Sequence, residues 1–151
     1  MNLVRELRVA RAIGSGNYPA AIAVYESALV KNPNDQSSME FLALCHYWNN
    51  KPQNAIVLIE RREKYGELEF DMLVLAVKCF SAVEDHKSAY NYACRCKNMP
   101  PDVASDFVKN TIFFSALKKP LLHNSQSNWR DLGWVREYKA WCENELGYRE
   151  Y

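Results

Sequence analysis

The sequence predicts an all-α fold of stacked helical hairpins, closed by a C-terminal helical cap. Three observations carry this. Ala21, Ala55 and Ala89 recur at one constant spacing, about 34 residues. Other positions keep the same phase: Tyr25, Ile59 and Ala93; Met39 and Leu73; His46 and Phe80; and Pro33 and Pro101, two periods apart. Finally, 5 Gly and 6 Pro in 151 residues leave few tight turns, which favours long helices over many short strands.

The first unit covers residues 2–35 and ends in "GNYPAAIAVYESALVKNPND". Asn17 suits the N-cap of its second helix, and Pro33 ends the unit by restricting the residue before it. The second unit covers residues 36–69. Pro52 fits the first turn of its second helix, where a missing N–H costs nothing, and Gly66 follows "RREKY" as a helix stop. The third unit covers residues 70–103, with Asp85 as cap and Pro101 as terminator. In each unit a small residue lets two helices approach, and in the first two units the larger side chain four positions on, Tyr25 or Ile59, fills the space beside it.

Beyond the third unit, residues 102–118 read as a helix in phase with a fourth first helix, and "KPLLHNSQSN" reads as a loop. Residues 129–147 read as a long amphipathic helix capped by Asn128. Trp134, Val135, Tyr138, Trp141 and Cys142 form its apolar stripe. A solenoid needs an atypical terminal unit, and residues 102–147 are expected to supply it. The whole chain, 1–151, is then one domain, long enough to bury a core without metal or disulfide staples.

This pattern resembles the tetratricopeptide repeat (TPR), a helix-turn-helix unit of about 34 residues. Gly16, Tyr18, Ala21, Tyr25, Ala28 and Pro33 occupy that family's Gly, Tyr, Ala, aromatic, Ala and Pro positions. The first helix of unit one departs from it, with Arg5, Arg8, Val9 and Ala12 where the family has Trp, Leu, Gly and Tyr. Unit two has Met39, Leu42, Ala43 and His46 at those positions, and unit three has Leu73, Ala76, Val77 and Phe80. The resemblance covers about two thirds of the chain and implies a right-handed α-solenoid.

Composition narrows the function classes. The chain carries 19 basic and 18 acidic residues, net +1, which gives no electrostatic case for nucleic acid or an anionic membrane. The longest clean apolar run, "MLVLAV", is far short of the ~20 residues a spanning helix needs. Five Cys, an odd number, with no apolar leader in "MNLVRELRVARAIG", are expected to be reduced, in a cytoplasmic or alternatively a nuclear setting. Arg5, Arg8 and Arg11 faintly resemble a mitochondrial presequence, but the repeat register gives that segment a structural role.

No motif for chemistry emerges. Cys94 and Cys96 lie two apart on a helix and so on different faces, which is poor for chelation. His46 falls where the repeat resemblance expects a buried aromatic, so core packing is its expected role. There is no phosphate-binding glycine loop, nucleophile elbow or paired-carboxylate motif. The expectation is a non-enzyme with no cofactor and no metal.

The resemblance implies a protein-interaction adaptor, a subunit of a larger complex, whose first helices line a concave groove. Carried over by register, that groove is lined by Leu7, Ala10, Phe41, Leu44, Tyr47, Trp48, Val74, Leu75 and Lys78. Trp48 is expected at its rim, open to a ligand. One subgroup of the family clamps the acidic C-terminal tails of chaperones with Lys, Asn, Asn, Lys and Arg. Here those positions hold Glu6, Ala10, Phe41, Asp71 and Leu75, so no chaperone tail is expected to bind. The expected ligand is an apolar peptide or helix of a partner protein. The alternative is a self-closed unit: the chain's own Trp-rich C-terminal helix fills the groove, and partners meet the outer face.

Overall fold

A computed structural model describes residues 3–96 and 132–150. Seven helices are found there: α1 (Leu3–Gly14), α2 (Tyr18–Lys31), α3 (Gln36–Trp48), α4 (Pro52–Glu63), α5 (Phe70–Ala82), α6 (His86–Cys96) and α7 (Leu132–Glu145). No strand occurs among the described residues. The chain is an all-α solenoid of three hairpins, α1–α2, α3–α4 and α5–α6, each packed on the next.

The hairpin turns are copies of one another. Gly16, Asn50 and Glu84 stand one repeat apart and all have left-handed backbones, with φ of 77°, 61° and 64°. Around each, the same pair of hydrogen bonds closes the preceding helix. The N–H of Asn17, Lys51 and Asp85 reaches back to the carbonyls of Ala12, His46 and Phe80, while Gly16, Asn50 and Glu84 donate to Ile13, Tyr47 and Ser81. This double closure satisfies carbonyls that a helix end leaves unpaired.

The next helix then starts on the expected caps. Asn17 Oδ1 accepts from the Ala20 N–H at 3.3 Å, Asp85 Oδ1 accepts from Ser88 N–H at 3.2 Å, and Pro52 opens α4.

Ala21, Ala55 and Ala89 are all fully buried, as the shared phase requires. They stand in a core that runs through all three units, from Val9 and Ile13 to Ala93 and Cys96. The two central first helices are enclosed most: every residue of α5 from Phe70 to Phe80 is buried. A helix covered on all sides is apolar nearly all round, and α5 is, apart from Asp71 and Lys78.

The expected helix at 102–118 lies outside the described residues, as do residues 129–131 of the expected cap. The remainder of that cap forms α7, which packs on α6 and touches α5. These are the neighbours that α5 itself has one unit earlier, in α4 and α3. So α7 stands where the first helix of a fourth unit would stand, the place expected for 102–118. Its buried positions Val135 and Cys142 are seven apart, two helical turns on one face. Polar contacts fix it: His86 Nδ1 and the Tyr138 hydroxyl lie 2.6 Å apart, and the Tyr90 hydroxyl donates to Glu143 at 2.7 Å.

Candidate protein-binding surface

The residues expected to line one open groove are not together on an open surface. Leu7 is exposed, at 45%, on the free face of α1, beside Leu3 and Val4. Tyr47 is half-buried. Ala10, Phe41, Leu44, Val74 and Leu75 are buried in the continuous core. Phe41 stacks on Tyr25 with ring centroids 5.5 Å apart. Lys78 is also buried, its Nζ 5.0 Å from the centre of the Trp134 ring on α7.

Trp48, expected at an accessible rim, is only 7% exposed and packs beside Tyr18 at 6.1 Å. The physical reason is the turn that follows it. The chain reverses at Asn50, which brings α4 back along α3, and Tyr18 at the start of α2 covers the indole from the other side.

The two acids at clamp positions are equally enclosed. Glu6 is buried, paired to Arg5 at 3.2 Å and accepting a hydrogen bond from the Tyr25 hydroxyl at 3.4 Å. Burial first, and Glu6 second, push the Tyr25 hydroxyl well above its ordinary pKa. Asp71 is buried in α5. Neither position presents a cation to a terminal carboxylate.

Besides the exposed Leu3, Val4 and Leu7 of α1, an open apolar surface lies along the second helices. Glu26, Leu29 and Val30 of α2 form one wall of a channel, and Asn54, Val57, Leu58 and Arg61 of α4 form the other. Leu42 and His46 of α3 make its floor. Its volume is about 480 Å³, within the usual range for a ligand site. The apolar side chains at its mouth are exposed, Val30 at 81% and Val57 at 65%.

His46 is the unexpected member. It is only half-buried and lines the channel, instead of closing into the core as an aromatic would. Its Nδ1 is shielded from solvent and has no hydrogen-bond partner. Desolvation holds its pKa below the ordinary value, with the nearby Glu26 carboxylate opposing, so the ring favours the neutral state.

The sequence did hold a signal for this channel. Val30 and Val57 are β-branched residues at positions outside the buried stripe of their helices. Both lie on second helices, whereas the repeat resemblance points to the first.

Around the channel the hairpins are pinned by polar contacts. Arg61 donates to the Pro33 carbonyl just past α2, and the Tyr65 hydroxyl donates to Asn34 at 2.6 Å. Glu63 receives the Tyr92 hydroxyl at 2.7 Å and pairs with Arg95, joining α4 to α6.

The buried thiols are poor nucleophiles. Burial pushes Cys45, Cys79 and Cys96 each up to about 12, so they stay protonated near neutrality. Among the described residues no group of three or more His, Cys, Asp or Glu is placed to hold a metal ion. Nor is any described helix long and apolar enough to cross a membrane.

Comparison with known proteins agrees with the repeat architecture. The family model described as anaphase-promoting complex, cyclosome, subunit 3 matches residues 14–96, from the first turn through the end of α6. No curated protein matches the chain. With more than half of its length inside that model, and three hairpins repeating at one constant period, the chain belongs to this TPR-like repeat family.

Proposed function

We propose that this chain is a non-catalytic protein–protein interaction module, a subunit of a larger assembly, that meets its partners through the outer face formed by α2 and α4. The carrying observation is the contrast in burial. Phe41, Leu44, Trp48, Val74 and Leu75 of the expected groove are enclosed, whereas Val30 and Val57 stand open at the mouth of an apolar channel. A concave, largely apolar lining with a few polar groups at its edges is the usual form of a binding site.

Two further observations support the reading. TPR-like repeat families are interaction modules, and the matching model is named for a subunit of a multiprotein complex. The protonated thiols and the absence of a catalytic motif favour binding over chemistry. Acidic chaperone tails are excluded as ligands on this reading, because Glu6 and Asp71 stand where the clamp needs cations. The free cysteines fit a reducing compartment, cytoplasmic or nuclear.

The test is affinity purification of the tagged chain from its native cells, comparing Val57→Asp with Leu7→Asp. The outer-face reading expects Val57→Asp to lose the main co-purifying protein and Leu7→Asp to keep it. The opposite result assigns binding to the face of α1.

A further inference from the structure

We propose that the channel between α2 and α4 binds an extended peptide segment of a partner protein, in which a basic and an acidic residue about three positions apart flank aliphatic anchors. This rests on the outer-face reading above and adds the ligand's chemistry.

The channel is polarised. α3 runs antiparallel to the helices on either side of it, so the C-terminal end of α3 lies near the start of α4. That end holds His46 and Asn54, and Glu26, one turn before Val30 on α2, which runs parallel to α4, falls toward the same end. The other end holds Arg61, tied to the Pro33 carbonyl just beyond α2. Between them the lining is aliphatic: Leu29, Val30, Leu42, Val57 and Leu58. A carboxylate at one end and a guanidinium at the other select a ligand with the opposite charges in opposite order.

The length of the channel sets the spacing. The α4 wall, from Asn54 to Arg61, spans seven helical rises, about 10 Å. An extended segment of the polyproline II kind rises about 3.1 Å per residue and returns to the same face every third residue, so positions three apart face the channel together, about 9 Å from each other. A basic residue facing Glu26 and an acidic residue facing Arg61 then leave two positions between them, whose aliphatic side chains point to either side, one over Val30 on the α2 wall and one over Val57 on the α4 wall.

His46 favours an extended ligand over a helix. Its Nδ1 has no partner, and the half-buried ring lines the floor. A rotation of the ring about its Cβ–Cγ bond exchanges the two edges. A helix has already spent its backbone N–H groups internally, whereas an extended segment still carries free N–H and C=O groups that can pair with the ring.

The test uses a phage-displayed library of random twelve-residue peptides, selected on the full chain. Enriched peptides are then synthesised and titrated against the full chain and its variants. Enriched sequences should carry the basic–aliphatic–aliphatic–acidic arrangement, in either chain direction. They should bind Val30→Asp and Val57→Asp at least tenfold more weakly and Leu7→Asp equally well. Val30 and Val57 are exposed, so these variants keep the fold, which helical circular dichroism checks. Glu26→Lys should change the charge preferred at one flank and leave the aliphatic requirement intact. Peptides that keep full affinity for both Val30→Asp and Val57→Asp overturn this site and leave the module reading standing. A selection that enriches no peptide also overturns the site. The module reading itself falls only if co-purification yields no partner sensitive to Val57→Asp or Leu7→Asp.

Discussion

Arg62 of α4 donates from its Nε to a carboxylate oxygen of Glu40 on α3 at 2.9 Å, and both side chains are buried. The same guanidinium donates from Nη1 to the Gly66 carbonyl at 3.3 Å, so it fixes both the hairpin and the loop that leaves it. Removing one partner from such a pair strands a buried charge. Glu40→Ala should therefore cost about 3–5 kcal/mol in urea unfolding. Glu40→Leu combined with Arg62→Met removes both charges and should recover most of that loss. A double variant as unstable as the single one would mean that the pair adds net stability beyond mutual compensation.

The third turn should be improvable. Glu84 takes a left-handed backbone, φ 64°, at the position where the first turn uses glycine. A side chain costs roughly 1–2 kcal/mol in that region, and glycine returns part of it in unfolded-state entropy. Glu84→Gly should stabilise the chain by about 1 kcal/mol, read as a raised melting temperature. Glu84→Ala, which keeps the Cβ, should bring no gain.

At the second unit, Ala55 is fully buried where α4 meets its neighbours. Ala55→Leu forces extra methyl groups into a filled space and should cost about 1–3 kcal/mol. The same change at exposed Ser27 on α2 is the control and should leave stability within about 0.5 kcal/mol.

Trp48 now carries a stability prediction. It is 7% exposed and packs against Tyr18. Trp48→Ala should lower stability by about 3–5 kcal/mol by leaving a cavity. An unchanged melting temperature would restore the accessible rim that the sequence suggested.

The pH dependence follows from His46. Its folded pKa lies below the ordinary 6.5, because burial disfavours the charged ring. The unfolded chain therefore takes the proton first as the solution is acidified. Above that ordinary value the group contributes no pH dependence, and stability is lost as the pH falls through it. Wild type should lose more melting temperature between pH 7.5 and pH 5.5 than His46→Phe does. Equal losses would show that other groups carry the acid sensitivity.

The sequence by itself determined the repeat. Ala21, Ala55 and Ala89 mark close helix packing, and Asn17, Pro52 and Asp85 mark helix starts. Both are local constraints, legible wherever they recur. The hairpin count and the family followed from them, and residues 14–96 match the family model. Periodicity also showed which faces are apolar, but it could not say what covers them. Only the tertiary structure decided that Phe41, Trp48 and Leu75 are enclosed while Val30 and Val57 stay open. Likewise, only the fold put α7 on α6 in the place of a fourth first helix. It alone brought Glu26, His46 and Arg61 around one channel, from three helices that the sequence keeps well apart. A side chain's own helix fixes its direction. Whether it meets solvent or a neighbour depends on how successive hairpins stack, and stacking is a property of surfaces distant in sequence.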